Sequence, residues 1–123
     1  MVDGANVVGL VPDGWWRRRA EAAELLRDAL APVAERGLPD LSGPLEVVLV
    51  VEGRAARVSG SATVRVVAAR GSGDDAIVDL VAREGGGRRC VVATADRGLR
   101  SRVVALGAAI LPPSALPRRA QLR

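Results

Sequence analysis

The sequence contains no histidine, lysine, phenylalanine or tyrosine, and only one cysteine among its 123 residues. Without histidine, neither a Ser-His-Asp triad nor a His-ligated zinc site can form within this chain. Cys90 allows no internal disulfide, and its place in an apolar run favours a buried structural thiol over a nucleophile. Only Trp15 and Trp16 remain to stack on nucleic-acid bases. Carboxylates, hydroxyls and arginines are left for catalysis, and carboxylates with a hard divalent cation are the natural use of that set.

All 18 basic residues are arginine, against 14 acidic residues, which gives a net charge of +4. Because arginine binds phosphate in a bidentate manner, the basic excess fits a polyanionic partner, although a solvated basic surface explains it equally well. The length suits one domain, and the hydrophobic content of 49% favours a folded globule. No apolar run reaches the roughly 20 residues of a membrane-spanning helix, and no signal peptide precedes the first strand-like segment. We therefore expect a soluble cytoplasmic protein.

Apolar patterning predicts strands that alternate with helices. Strands are predicted at residues 2–8 with a break at Gly4, 45–51, 63–68, 89–94 and 108–111, and helices at residues 15–36 with a disturbance near Pro32, from 72 or 74 to 84, and 96–106. This alternation predicts an α/β fold with a doubly wound, mostly parallel sheet and helices on both faces. Such sheets bind ligands at the carboxyl ends of strands, where the strand order reverses.

Acidic residues follow the ends of these predicted strands. Asp3 ends the first fragment, Glu52 follows the second strand, and Asp96 lies two residues beyond the fourth, while Asp74 and Asp75 open the helix after the third. In a parallel sheet these points share one edge, where converging carboxylates repel each other unless a cation lies among them. Mg²⁺ or Mn²⁺ accepts such oxygen ligands and can orient a water for attack on a phosphodiester. Each acid also has a purely structural explanation, because Asp74 and Asp96 suit helix caps, Asp75 suits the helix dipole and Asp3 suits a turn.

Three motifs resemble those of the NYN branch of the PIN-like nucleases. They are Val-Asp-Gly-Ala-Asn-Val-Val at residues 2–8, Gly-Asp-Asp-Ala-Ile-Val at residues 73–78 and Val-Ala-Thr-Ala-Asp-Arg-Gly-Leu-Arg at residues 92–100. Within that branch, the chain is similar to the small bacterial NYN proteins of YacP type. The resemblance covers residues 1–114 as one nuclease domain and leaves residues 115–123 as a basic C-terminal tail. It implies a PIN-like sheet and an endoribonuclease activity that depends on Mg²⁺ or Mn²⁺.

The resemblance also implies roles for individual residues. Asp3, Asp74, Asp75 and Asp96 would be catalytic, with Asp3, Asp75 and Asp96 binding the metal and Asp74 or Asp75 helping to deprotonate water. Thr94 would hydrogen-bond within the site, for which ordinary strand packing is the structural alternative. The residues implied to contact substrate are Asn6, Thr94, Arg97, Arg100, Trp16 and Arg17. A solvated helix surface explains the two helix arginines equally well, and a core position explains the tryptophan nearly as well.

RNA is the partner that these residues predict, in solution or on the ribosome. The alternative is a non-catalytic RNA- or ribosome-binding module that keeps the same fold, which the arginine excess also fits. A toxin-like nuclease held by an antitoxin ranks lower, because no feature of the sequence requires a partner peptide.

Overall fold

The described part of the chain contains seven strands and four α-helices. In the computed structural model, which describes residues 1–4, 19–39, 41–53 and 58–117, the strands are β1 (Val2–Asp3), β2 (Gly37–Leu38), β3 (Leu41–Ser42), β4 (Val47–Val51), β5 (Val64–Ala68), β6 (Val91–Ala93) and β7 (Ala109–Leu111). The helices are α1 (Arg19–Ala29), α2 (Ala31–Arg36), α3 (Gly73–Glu84) and α4 (Arg97–Val104), followed by a 3-10 helix at Pro113–Ala115. None of the described helices combines the length and apolar character that crossing a membrane requires.

The main sheet has the strand order β5-β4-β1-β6-β7, and every neighbouring pair is parallel. The chain runs outward from β1 through β4 to β5, then returns to the other side of β1 and runs outward through β6 to β7. The strand order therefore reverses between β1 and β6, whose carboxyl ends lie side by side. This is the position at which doubly wound sheets bind their ligands.

Strand β4 explains how the sheet becomes the core. All five of its residues are buried, and their side chains alternate between the two faces. Val47, Leu49 and Val51 join an apolar cluster with residues of α1 and α2, whereas Val48 and Val50 join a second cluster with residues of α3 and α4. Helices thus cover both faces of a parallel sheet, so the predicted fold class is confirmed. A nearly continuous β-branched run is what a strand buried on both faces requires.

The first strand is short, and the backbone of Met1 extends its pairing. The amino nitrogen of Met1 donates to the carbonyl of Val91 at 2.7 Å, and its carbonyl accepts from the amide of Ala93 at 2.8 Å. Gly4 follows β1 so closely against β4 that a Cβ there would lie 2.5 Å from the carbonyl oxygen of Val50. Only glycine fits this approach. Residues 5–8 of the predicted strand lie outside the described residues.

The predicted disturbance near Pro32 is confirmed: the helix is divided into α1 and α2, with Pro32 in the first turn of α2, where the missing N–H costs no hydrogen bond. Residues 15–18 of the predicted helix lie outside the described residues. The small antiparallel pair β2–β3 was not predicted. It begins at Gly37, whose φ of 80° and close contact with the Leu41 carbonyl exclude a side chain.

Candidate functional site

A buried carboxylate and a buried hydroxyl meet where β1 and β6 end. Asp3 is 3% exposed and Thr94 is 1% exposed. Pairing of Val2 with Ala93 places the two residues next to each other at the carboxyl edge of the sheet. The Thr94 hydroxyl donates to Oδ2 of Asp3 at 2.8 Å. A hydrogen bond to a charged acceptor in so buried a place fixes the orientation of that carboxylate.

Asp96 joins this pair through the backbone. Its amide donates to the hydroxyl oxygen of Thr94 at 3.1 Å, and its Oδ1 accepts from the amide of Leu99 at 2.9 Å. Asp96 is therefore the N-cap of α4, as its structural explanation predicted. Asp96 is hydrogen-bonded to Thr94, which is in turn hydrogen-bonded to Asp3. The cap holds its carboxylate at the edge of the sheet, so a structural role and a chemical role are compatible.

Glu52 connects the end of β4 to the start of α3. One of its carboxylate oxygens, Oε2, accepts a hydrogen bond from the amide of Gly73, the first residue of α3. A Cβ at position 73 would lie 2.7 Å from this oxygen, so glycine allows the carboxylate to approach the helix N-terminus. The positive end of the helix dipole favours a negative group there. Ser72 caps the helix, because its hydroxyl accepts from the amide of Asp75 at 3.2 Å.

Asp74 experiences the charges of the other acids at this edge. Burial raises its pKa first, and the negative charges of Asp96, Asp3 and Glu52 raise it further, while Arg102 lowers it. A carboxylate whose pKa is raised by three others shares one electrostatic environment with them. We refer to Asp3, Glu52, Asp74 and Asp96 as the acid edge. All four follow the carboxyl ends of strands or begin the helices just beyond.

Asp75 is placed differently from its neighbour. Its Oδ1 lies 2.9 Å from Nη2 of Arg102 on α4, and its side chain is 72% exposed. The spacing of residues along α3 indicates this difference between Asp74 and Asp75. Asp74 precedes the buried residues Ile77 and Val81 by three and seven positions, so it shares their inward side of α3. The implied metal-binding role of Asp75 stays a prediction, and this placement makes Asp74 the better candidate.

The donor set at the acid edge fits a hard divalent cation in its chemistry. Every donor is a carboxylate oxygen. Burial and then repulsion by the other three carboxylates raise the pKa of Asp74, and such a cation relieves that repulsion. Within residues 1–4, 19–39, 41–53 and 58–117, no three acidic or cysteine side chains are close enough together to hold an ion as they lie.

The remaining predicted site residues divide into two groups. Arg97 and Arg100 are exposed on the first turns of α4, beside Asp96, and make no ion pair with any acid in the described part of the chain. Asn6, Trp16 and Arg17 lie outside the described residues. Arg102 was not predicted as a site residue, because its pairing with Asp75 depends on how α3 packs against α4.

Comparison with known proteins identifies a structural relative. No protein-family model and no curated protein sequence matches the chain. The crystal structure of a mutant of Rae1 (YacP) from Bacillus subtilis does match, with a TM-score of 0.70 and 21% sequence identity, over 93% of this chain and 69% of that one. The chain therefore has a YacP-like α/β fold. The resemblance to YacP-type proteins is confirmed for the fold, and the roles of individual residues stay predictions.

Proposed function

We propose that this protein is a metal-dependent endoribonuclease that hydrolyses RNA phosphodiester bonds at the acid edge. The observation that supports the proposal is the buried Asp3 at the switch point of the sheet, which accepts a hydrogen bond from Thr94 at 2.8 Å, while Thr94 in turn accepts one from the amide of Asp96. Asp3, Asp74 and Asp96 are the proposed ligands of Mg²⁺ or Mn²⁺. When bound, such an ion supplies an activated water and neutralises charge on the phosphate.

The surrounding residues have supporting tasks in this proposal. Thr94 holds Asp3 in one orientation through its 2.8 Å hydrogen bond. Glu52 fixes the N-terminus of α3, and with it the position of Asp74. Arg97 and Arg100, which are exposed on α4, are proposed to bind the phosphate backbone of the substrate beside Asp96. Asp74 is a better proton acceptor than Asp75, because Asp75 is already paired with Arg102.

The test is cleavage of single-stranded and structured RNA in Mg²⁺, in Mn²⁺ and in EDTA. Asp3→Asn and Asp96→Asn are expected to lower the rate by more than about 100-fold. Asparagine is a good helix cap, so Asp96→Asn removes the charge while keeping the start of α4 intact. Asp79→Asn on the outer side of α3 is the matched control and is expected to keep full activity. Circular dichroism of each variant checks that the fold is unchanged.

Titration with Mn²⁺ gives a second measure that does not depend on turnover. The wild-type protein is expected to bind Mn²⁺, and Asp3→Asn is expected to weaken that binding by a similar factor. Equal cleavage by wild type, Asp3→Asn and Asp96→Asn contradicts the proposal. So does cleavage that continues unchanged in EDTA.

A non-catalytic RNA-binding module is the second candidate. The exposed Arg97 and Arg100, which have no acidic partner among the described residues, favour it, because such arginines bind a phosphate backbone whether or not cleavage follows. Tight, salt-sensitive RNA binding without metal-dependent turnover identifies this function.

A further inference from the structure

Arg102 is a cation held next to the acid edge by a residue of another helix. Its guanidinium Nη2 lies 2.9 Å from Oδ1 of Asp75, and the two side chains are 46% and 72% exposed. Its positive charge also lowers the pKa of Asp74, against the four influences that raise it. The ion pair therefore lies at the rim of the acid edge, on the side where α3 meets α4.

A second ion pair on α3 shows what an ordinary surface pair looks like in this protein. Arg83 Nη2 lies 2.7 Å from Oδ2 of Asp79, one helical turn away, and the side chains are 63% and 59% exposed. Arg83 follows Asp74 by nine residues, which corresponds to about 14 Å along the helix axis. The two pairs match in residue types and closely in exposure. They differ in their distance from the acid edge and in whether they connect two helices.

We infer that Arg102 binds a phosphate of the RNA backbone next to the acid edge, and that Asp75 is the counter-ion which this phosphate displaces. The inference deepens the proposed function and rests on it. An exposed ion pair contributes little net free energy, so it opens readily. Phosphate offers a guanidinium the same bidentate geometry as a carboxylate and carries negative charge on several oxygens. RNA can therefore replace Asp75 on Arg102 without disturbing the packing of α4.

This arrangement also has a consequence for selectivity. While Asp75 is paired with Arg102, it partly neutralises a cation that lies next to the acid edge. A polyanion that binds elsewhere on the protein then gains no affinity from Arg102. Only a strand that reaches the junction of α3 and α4 exchanges Asp75 for its own phosphate, so Asp75 limits unproductive binding.

The test is the binding of a labelled single-stranded uridine homopolymer by the full chain in EDTA, measured by fluorescence anisotropy over a series of salt concentrations. EDTA prevents metal-dependent cleavage, so binding is measured alone. Arg102→Gln is expected to weaken binding by about 10-fold and to reduce the slope of log affinity against log salt by about 0.7. Arg102→Lys is expected to keep that slope and lose only part of the affinity, because it keeps the charge without the planar fork.

Removal of the counter-ion gives the opposite expectation. Asp75→Asn is expected to strengthen RNA binding by about threefold, because Arg102 is no longer neutralised. That gain should be absent when Asp75→Asn is combined with Arg102→Gln. The control variants Arg83→Gln and Asp79→Asn remove the same charges from the distant pair and are expected to change the affinity by less than about twofold. Thermal unfolding midpoints check that every variant folds as the wild type does.

The outcomes separate this inference from the proposed function. If wild type binds and cleaves RNA but Arg102→Gln binds no more weakly than Arg83→Gln, the role of Arg102 is overturned and the proposed function stands. Weaker binding by Asp75→Asn overturns the displacement of Asp75. A wild-type protein that neither binds nor cleaves RNA overturns both.

Discussion

Replacement of Thr94 by valine tests whether the Thr94 hydroxyl stabilises the contact between the ends of β1 and β6. Valine has nearly the same shape but neither donates to Asp3 nor accepts from the amide of Asp96. At 1% exposure, water cannot readily replace either bond. The substitution removes a hydrogen bond to a charged group and also the acceptor of the partly buried Asp96 amide. Together these losses should lower the free energy of unfolding by about 2 to 4 kcal/mol.

Urea unfolding followed by circular dichroism measures this loss. For a domain of this size, the midpoint is expected to fall by about 1 to 2 M with an unchanged slope. Thr94→Ser keeps the hydroxyl and removes only a methyl group, so its loss should be about 1 kcal/mol. If Thr94→Val is no less stable than Thr94→Ser, the hydroxyl contributes no more to stability than the methyl group does, and the reasoning from the hydroxyl is refuted.

Two further substitutions test the surroundings of the acid edge. Because the fold raises the pKa of Asp74, ionisation of this carboxyl opposes folding, and stability falls as the pH rises from its unfolded pKa through its folded pKa. Asp74→Asn should therefore be more stable than the wild type near neutral pH and lose that advantage in acid. Urea unfolding at both pH values, with Asp79→Asn as control, measures the difference. Equal stability of Asp74→Asn and wild type near neutral pH contradicts the expectation. Gly4→Ala places a Cβ 2.5 Å from the carbonyl oxygen of Val50 and should cost several kcal/mol, about 3 or more, whereas Gly71→Ala has open space and should cost little. If Gly4→Ala loses little stability in thermal unfolding, the backbone at position 4 can move away from β4, and the expectation is wrong.

The sequence predicts the layers of this fold because buried strands and helices have apolar patterns that can be recognised within a short stretch of residues. Residues 47–51 form an unbroken apolar run, which only a strand covered on both faces needs. Thr94 and Asp96 are also predictable as a unit, because a strand end and a helix cap lie two residues apart. Both features depend on residues that are close in the chain.

The remaining features depend on contacts between distant segments. Whether Asp74 or Asp75 turns toward the other acids is set by the rotation of α3, which its packing against the sheet determines. The spacing to Ile77 indicates that rotation, but the pairing of Asp75 with Arg102 requires the position of a second helix. The hydrogen bond between Glu52 and Gly73 likewise has no local sequence pattern. Such side-chain pairings follow from tertiary packing, which residue periodicity does not specify.

The position of β1 at the centre of the sheet affects how the protein forms during synthesis. The hydroxyl that holds Asp3 is 91 residues away in the chain. Contacts of such large sequence separation are costly in loop-closure entropy and form slowly. A growing chain therefore carries Asp3 without a complete acid edge while all of the residues between β1 and β6 are made. The acid edge is thus a late product of folding, which forms only when β6 pairs with β1.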